Sequence, residues 1–385
     1  MKFRGYVRPD GSVGVRNHVI VLSSVVCASR VAEMLAAELP DAIPIVHQHG
    51  CSQLGRDAAQ TLRTLIGIGA NPNVAAVLVV GLGCETLHAA KIAEGVAKTG
   101  KPVEALVIQD LGGTLKTFRK ALPILRRMLF DARKLRRQPC DISKFWVATE
   151  CGGSDACSGL AANPAVGAAM DLVIKAGGNV MLSETTEFIG AEHLLAEQCA
   201  SPALGERLVA ITIATENAAK ACGVDIRGAN PAPGNIQGGI TTIEEKSLGC
   251  TYKAGTTPIQ EVLDYAERPT KRGLVVMDTP GNDVESNIGM LAGGAQIIVF
   301  TTGRGSPTGS PIGPVIKVAS NTTMFLRMRE NMDVNAGTIM DGRESIAQVA
   351  RRIFDRVLRV AAGAKPKAER LGHREFGIYR IARTF

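Results

Sequence analysis

Short apolar, β-branched runs alternate with longer alanine-rich amphipathic stretches along the first third of the chain. The runs are HVIVLSSVV (18–26), AIPIVHQ (42–48), VAAVLVVGLG (74–83) and VEALVIQD (103–110). Runs of this length bounded by turn residues predict strands, and the stretches between and after them predict helices. The resulting βαβαβαβα order predicts an α/β fold with a largely parallel sheet flanked by helices. Further strands are expected at 144–150, 179–185, 273–278, 296–302 and 314–320, and helices over 164–175, 201–221 and 345–362. The proline and polar residues of RRQPCD end a basic amphipathic helix over 116–138. They mark a boundary between two Rossmann-like domains, 1–138 and 139–385, expected to face each other across a cleft. A polar, glycine-rich stretch, GANPAPGNIQGGITT (228–242), breaks the alternation in the second half; such loops let backbone approach a ligand closely.

Bulk properties narrow the possibilities. The chain has 385 residues, 45% of them hydrophobic, and 42 glycines. No apolar run approaches the roughly 20 uncharged residues of a membrane span. MKFRGYVRPDGSVGVRN has no apolar core of the signal-peptide kind, so a cytoplasmic protein with no membrane partner is expected. Nine irregularly spaced cysteines then read as reduced thiols. The net charge of +8 is concentrated in the basic helix. Without stacking aromatics or a nucleic-acid fold signature, that reads as a solvated face, compatible with a small anionic substrate rather than nucleic acid.

Open parallel sheets bind ligands outside the carboxyl ends of their strands. In the first half those ends carry Cys27, His47, His49, Cys51, Cys84, Glu85, Gln109 and Asp110. In the second they carry Glu150, Cys151, Asp155, Glu184, Glu187, Asp278, Thr301, Thr302 and Arg304. The cluster IVHQHGCSQLG (45–55) leaves three readings open: a metal site, a nucleophile with its base, or packing at a strand end. Strand-end placement favours a site for His47, Cys51, Cys84 and Cys151, whereas Cys140, Cys199 and Cys222 scatter as packing cysteines do. GLGCETLHAAK superficially resembles a phosphate loop but lacks its spacing, and no G-x-G-x-x-G, C-x-x-C or G-x-S-x-G motif follows a strand. In TECGGSDACSGLAANPAVG (149–167) the consecutive glycines can free backbone N–H groups as an anion-binding nest, with Ser154 and Asp155 at its rim. An ordinary tight turn capped by Asn163 fits the same residues.

That segment, with GYVRPDGSVGVRN, HQHGCSQLG, NPNVAAVLVVGLGCE, LSETTEFIGAE, NPAPGNIQGGITTIEEKSLGC, VFTTGRGSPTG, PVIKVASN and DVNAG, resembles the altronate dehydratase and galactarate dehydratase family. The segments GCSQLG, GLGCE and EEKSLGC look closer to the altronate enzymes. The chain begins just ahead of GYVRPDG, where family members often carry a small SAF-type module, so a separate small SAF-type subunit is expected as partner. The same split organisation occurs in the large subunit of sulfolactate sulfo-lyase. Cys157 stands where the sugar-acid enzymes typically have a bulkier apolar residue.

The resemblance implies a metal-dependent hydro-lyase that dehydrates a sugar acid such as altronate to a 2-keto-3-deoxy acid. Its alternatives are a sulfolactate sulfo-lyase releasing sulfite and a non-catalytic scaffold subunit. It implies Fe2+ (alternatively Mn2+ or an iron–sulfur cluster), with His47, Cys51, Cys84, Glu85 and Cys151 as the candidate metal ligands; His49 does not match the family motif. Lys246, Glu184 and Glu187 are the catalytic candidates, Lys246 as a base that burial beside other cations would deprotonate. Ser154, Asp155, Asn163, Asn235, Lys253, Thr301, Thr302, Arg304 and Lys317 are the substrate-binding candidates, and a homo-oligomer is compatible with all of this. A composite site between the halves would put Cys84 and Cys151 in one pocket.

Overall fold

The computed structural model describes residues 1–385. Its first half holds a four-stranded parallel sheet in the order Ala42–Ile45, His18–Ser23, Val74–Gly81, Val103–Val107. The second half holds a seven-stranded parallel sheet. Its order is Ile259–Leu263, Leu274–Met277, Asn179–Leu182, Trp146–Cys151, Ile297–Thr302, Val315–Ala319, Val334–Asn335. The central strands are buried on both faces, which is why they read as unbroken apolar runs. Helices Asn163–Lys175, Pro202–Ala221 and Ile346–Ala361 lie where the amphipathic pattern put them.

Three features escape the apolar pattern. Lys2–Val7 pairs antiparallel with Val13–Gly14 and with Gln138–Asp141, tying the start of the chain to the connector between the halves. Ile259–Leu263 and Val334–Asn335 form the two edges of the large sheet. Edge strands and short antiparallel pairs stay partly exposed and so carry charged residues that mask their periodicity. The run at 103–110 stops being a strand at Val107 and turns helical over Ile108–Leu111, so Gln109 and Asp110 are not strand ends.

The basic helix spans Thr114–Lys134. It buries Ala121, Leu125 and Met128, while its arginines face outward and meet Glu38, Glu104 and Asp41.

The halves share a core. One apolar cluster runs from Ile20, Leu65 and Val77 into Ile288, Ile298 and Phe300. Helix Gly55–Ala70 crosses helix Asp283–Ala292 so closely that a Cβ on Gly67 would stand 2.5 Å from the Ala292 carbonyl oxygen. Buried asparagines stitch the rim of this contact. Asn71 donates to the carbonyls of Leu291 (2.6 Å) and Ala295 (2.9 Å), and Asn73 to those of Gln296 (2.8 Å) and Ile312 (3.0 Å). The last residues return to the first half, where Arg380 meets the buried Asp57 at 2.9 Å.

Because Gly67 has no room for a side chain, Gly67→Leu should reduce stability by about 1–3 kcal/mol, the usual range for overpacking. Gly228→Ala, where nothing lies within 4 Å of the added carbon, serves as control. Chemical denaturation of the two variants checks this; equal midpoints would show that the helix crossing can open.

Candidate functional site

The carboxyl edge of the large sheet builds the site. Trp146–Cys151 lies between Asn179–Leu182 and Ile297–Thr302, and ends directly into Gly152 and Gly153. Gly152 must be glycine, since a Cβ there would meet Asp283 Oδ2 at 2.3 Å and Phe300 Cζ at 2.6 Å. Gly153 adopts φ +60°, and its carbonyl accepts the N–H groups of Gly303 (3.1 Å) and Arg304 (2.7 Å). The N–H groups of Gly153 and Ser154 are left without a protein acceptor, the arrangement an anion-binding nest requires.

Beneath this turn the charged side chains interlock. Glu184 sits in the left-handed region at φ +71°, rare for a residue with a side chain, and its carboxylate accepts the Cys151 N–H at 2.9 Å. The same carboxylate oxygen accepts from the Lys253 ammonium, and both residues are buried. Helix Ile243–Thr251 and the turn after it place Lys246, Cys250 and Lys253 four and three residues apart, on one face. Lys253 Nζ donates to Cys151 Sγ at 2.9 Å. Cys250 Sγ lies 3.3 Å from Cys151 Sγ and 3.6 Å from Glu187 Oε2. Lys246 Nζ donates to Glu187 Oε1 at 2.9 Å and to Asn230 Oδ1 at 3.0 Å.

These contacts set protonation. Burial opposes the Lys253 charge, but the Glu184 carboxylate beside it holds the amine protonated. The hydrogen bond with Cys250, and then burial, push the Cys151 thiol well up. Lys246 follows the same logic: burial alone would lower it, yet the Glu187 carboxylate raises it. The expected environment of a deprotonated Lys246 base is therefore reversed, because its neighbours are anions and thiols rather than cations.

One layer deeper, Glu150, Phe300 and Lys317 stand in register on adjacent strands. Glu150 accepts from Ser183 and Ser286, and burial, with the charge of Glu184, holds it protonated. Lys317 Nζ has no hydrogen-bond partner, lies 3.2 Å from the Phe300 ring centroid, and is lowered by burial to about 7.

Above this floor opens a cleft of about 580 Å³. Cys151, Gly152, Gly153, Ser154, Glu187 and Asp283 line one side, and Asn230, Asn235, Lys246 and Arg304 also reach it. The polar loop at 228–242 thus does contribute to the cleft, folded into short turns at Ile226–Ala229 and Pro233–Gln237.

Of the substrate-binding candidates, Ser154, Asn235 and Arg304 reach the cleft. Lys253 and Lys317 are fully buried, so neither ammonium is presented to a ligand. Asp155 is occupied by Ser158, Ser320 and Asn321. Asn163 does not cap its helix; it accepts from Thr301 at 2.6 Å and donates to the Gly249 carbonyl. Thr302 accepts the Gly305 N–H. Cys157 is half-buried and off the cleft.

The expected metal donors are not brought together. His47, Cys51, Cys84 and Glu85 belong to the other sheet, and none of them lines the cleft with Cys151. His47 Nε2 pairs with the Ser23 carbonyl at 2.8 Å, and its Nδ1 accepts the His49 N–H at 3.1 Å, so neither ring nitrogen has a lone pair to offer. Glu85 caps the Gly83 N–H and accepts from Ser24 at 2.8 Å. Cys51 and Cys84 are exposed. No group of three or more His, Cys, Asp or Glu side chains is arranged to hold a metal ion, and these five donors do not fit a single iron.

Cys250 and Asp283 were missed by sequence reasoning. The spacing of Lys246, Cys250 and Lys253 was the available signal for the first. Asp283 follows a strand through PGN, but its approach to Gly152 is set entirely by the tertiary fold.

Comparison with known proteins agrees with this architecture. The family description "D-galactarate dehydratase/Altronate hydrolase, second domain" matches residues 5–133, and "D-galactarate/Altronate dehydratase, C-terminal" matches residues 142–384. The chain belongs to the galactarate/altronate dehydratase family. Within it, the chain is 39% identical to the (2R)-sulfolactate sulfo-lyase subunit beta of Chromohalobacter salexigens, over 98% of this chain and 97% of the relative. It is 33% identical to the altronate dehydratase of Bacillus subtilis, covering 99% of this chain and 78% of that one. It is 38% identical to the galactarate dehydratase (L-threo-forming) of Escherichia coli, covering 94% and 73%. No helix is long and apolar enough to cross a membrane.

His47, as a packed and neutral side chain, makes a prediction that a metal ligand would not. Burial lowers it from 6.5 to about 4, outweighing the Ser23 carbonyl. The unfolded chain therefore binds the proton first, so stability falls as pH drops through 6.5 and the loss saturates below about pH 4. The contribution is about 3 kcal/mol at 1.36 kcal/mol per pH unit. Denaturation of wild type and His47→Gln between pH 7 and pH 4 should show a shallower pH dependence for the variant; identical profiles would refute this account.

Proposed function

We propose that the cleft binds a small hydroxy-carboxylate anion and eliminates a β-substituent from it, making this chain a lyase of the dehydratase type. The observation that carries this reading is the pairing, in one cleft, of the unoccupied Gly153 and Ser154 N–H groups with the Glu187–Lys246 pair.

The chemistry follows from the groups present. The substrate carboxylate lies against the two N–H groups and Arg304, whose guanidinium suits bidentate binding. The hydrogen on the carbon beside that carboxylate is very weakly acidic, so removing it builds a second negative charge that must be met by fixed cations. Glu187 accepts the proton, and Lys246, held protonated beside it, faces the growing charge. The buried Lys253–Glu184 pair and the Cys151–Cys250 thiols keep the strand end that carries the anion-binding turn in place.

Dehydration of a sugar acid such as altronate to a 2-keto-3-deoxy acid is the leading reading, supported by the relatives named altronate and galactarate dehydratase. A second reading, elimination of sulfite from sulfolactate, is favoured by the sulfo-lyase relative, which matches over nearly the whole of both chains. The two reactions share proton removal and differ only in the leaving group. The designation of that relative as a beta subunit supports assembly of this chain with a further subunit.

Incubation of the purified protein with altronate, galactarate and (2R)-sulfolactate, with and without Fe2+ or Mn2+, tests the reading by separate assays for 2-keto acid and sulfite. A 2-keto acid without sulfite is the expected outcome. Glu187→Gln should lower kcat by about 100-fold or more, and Arg304→Lys should act mainly on KM, raising it by about tenfold through loss of the bidentate contact. Absence of 2-keto acid from all three substrates, or a fully active Glu187→Gln enzyme, would overturn the proposal.

A further inference from the structure

We infer that Asp283 is the acid that protonates the departing hydroxide, which would make this a dehydrating site rather than a sulfite-releasing one. The inference rests on the elimination proposed above and assigns its second half. Two carboxyl groups line the cleft, and they are held very differently. Glu187 is engaged by Lys246 and Cys250. Asp283 accepts no hydrogen bond from any protein donor; as the first residue of the helix Asp283–Ala292 its carboxyl group meets only the positive end of the helix dipole. The N-cap is Asn282, whose side chain accepts the N–H groups of Val284 and Glu285. The Asp283 carboxyl group therefore lines the cleft with no hydrogen-bond partner in the protein.

Its position suits the leaving group. The carboxyl lies against Gly152, so close that a Cβ on Gly152 would clash with both of its oxygens, and thus beside the turn that offers the Gly153 and Ser154 N–H groups. The same short loop runs past the base: a Cβ on Gly281 would stand 3.5 Å from Glu187 Oε1. Carboxylate anchor, base and free carboxyl group surround one small volume. Burial, reinforced by the charges of Glu184 and Glu187 and opposed by Lys317 and Lys246, raises Asp283 to about 6, so the protonated form is available near neutrality.

The step balances. The C2–H bond breaks and its proton passes to the Glu187 carboxylate. The electron pair is first held on the substrate carboxylate as an enediolate facing Lys246; it then forms the C2=C3 bond, and the C3–O bond breaks with its pair going to oxygen. That oxygen takes the Asp283 proton and leaves as water. The enol then becomes the 2-keto acid, Glu187 ends protonated and Asp283 ionised, and exchange with solvent restores both. Hydroxide is a poor leaving group without that proton, whereas sulfite departs as a stable anion and needs none.

The decisive experiment separates the two halves of the reaction. Wild type, Asp283→Asn and Asp283→Glu are incubated in D2O with the sugar acid that the wild type dehydrates, and both 2-keto acid formation and deuterium incorporation at C2 of unreacted substrate are followed. Asp283→Asn should lose dehydration by about 100-fold or more while still exchanging C2–H, because Glu187 is intact. Asp283→Glu should recover at least about a tenth of the rate, since a carboxyl group is restored. Thermal midpoints within a few degrees of wild type establish that the variants fold. Full dehydration by Asp283→Asn overturns the inference, as does equal loss of exchange and dehydration in a folded protein. So does sulfite release from sulfolactate, as the chain's own reaction, that survives the substitution. If the wild type neither exchanges nor eliminates on any hydroxy acid, the elimination reading itself has failed and this assignment falls with it.

Discussion

A fully buried ion pair, Lys253 with Glu184, is the constraint on which the rest of the site depends. Taking two charges out of water costs several kcal/mol per ion, and leaving either one without its partner costs about 3–5 kcal/mol. The pair is tolerated because each member is held by more than the other. Glu184 also accepts the Cys151 N–H, and Lys253 also donates to the Cys151 sulfur. Both contacts converge on the last residue of the central strand, so the electrostatics fix the point at which the chain turns into Gly152 and Gly153. The left-handed backbone of Glu184 is the conformational strain accepted to aim its carboxylate there.

From that fixed point the site divides into layers with different states of satisfaction. The ion pair and the two thiols are mutually bonded. Below them Glu150 and Lys317 flank Phe300, each with an atom that finds no partner. Burial holds Glu150 protonated and lowers Lys317 to about 7, because it disfavours charge that nothing answers. Above them the groups facing the cleft have capacity to spare: two backbone N–H groups, Arg304 and the Asp283 carboxyl. A fixed polar floor beneath uncommitted donors and acceptors is the arrangement in which charge developing on a bound anion is met without reorganisation.

The two halves are joined by a shared core, yet only one sheet carries this arrangement. Their apolar cores merge where helix Gly55–Ala70 meets the end of helix Asp283–Ala292, the helix whose first residue is Asp283. The carboxyl edge of the smaller sheet, by contrast, spends its polar groups internally. His47 serves the Ser23 carbonyl and the His49 N–H, and Glu85 serves Ser24 and Gly83. Metal-capable residues at that edge are consumed in holding their own loops.

By itself the sequence determined the α/β class, the central strands, the long amphipathic helices and the rule that chemistry gathers at strand ends, because burial on both faces of a parallel sheet writes itself as continuous apolar runs. The same rule made Glu184, Glu187 and Arg304 legible as candidates, the consecutive glycines pointed to Ser154, and the polar loop bearing Asn235 pointed to the cleft as well. It also raised His47, Cys51 and Cys84 to equal standing, since a one-dimensional pattern marks every carboxyl edge alike and does not say which edge keeps unspent hydrogen-bonding capacity. Edge strands such as Ile259–Leu263 stayed hidden because half-exposed residues obey no single periodicity. Only the tertiary structure decided that Lys246 faces anions, that Lys253 and Lys317 are sealed from ligand, that Cys250 meets Cys151, and that Asp283 arrives unpaired beside Gly152. Each of these depends on contacts between segments remote in sequence, and protonation and hydrogen-bond capacity are properties of those contacts rather than of the residue types alone.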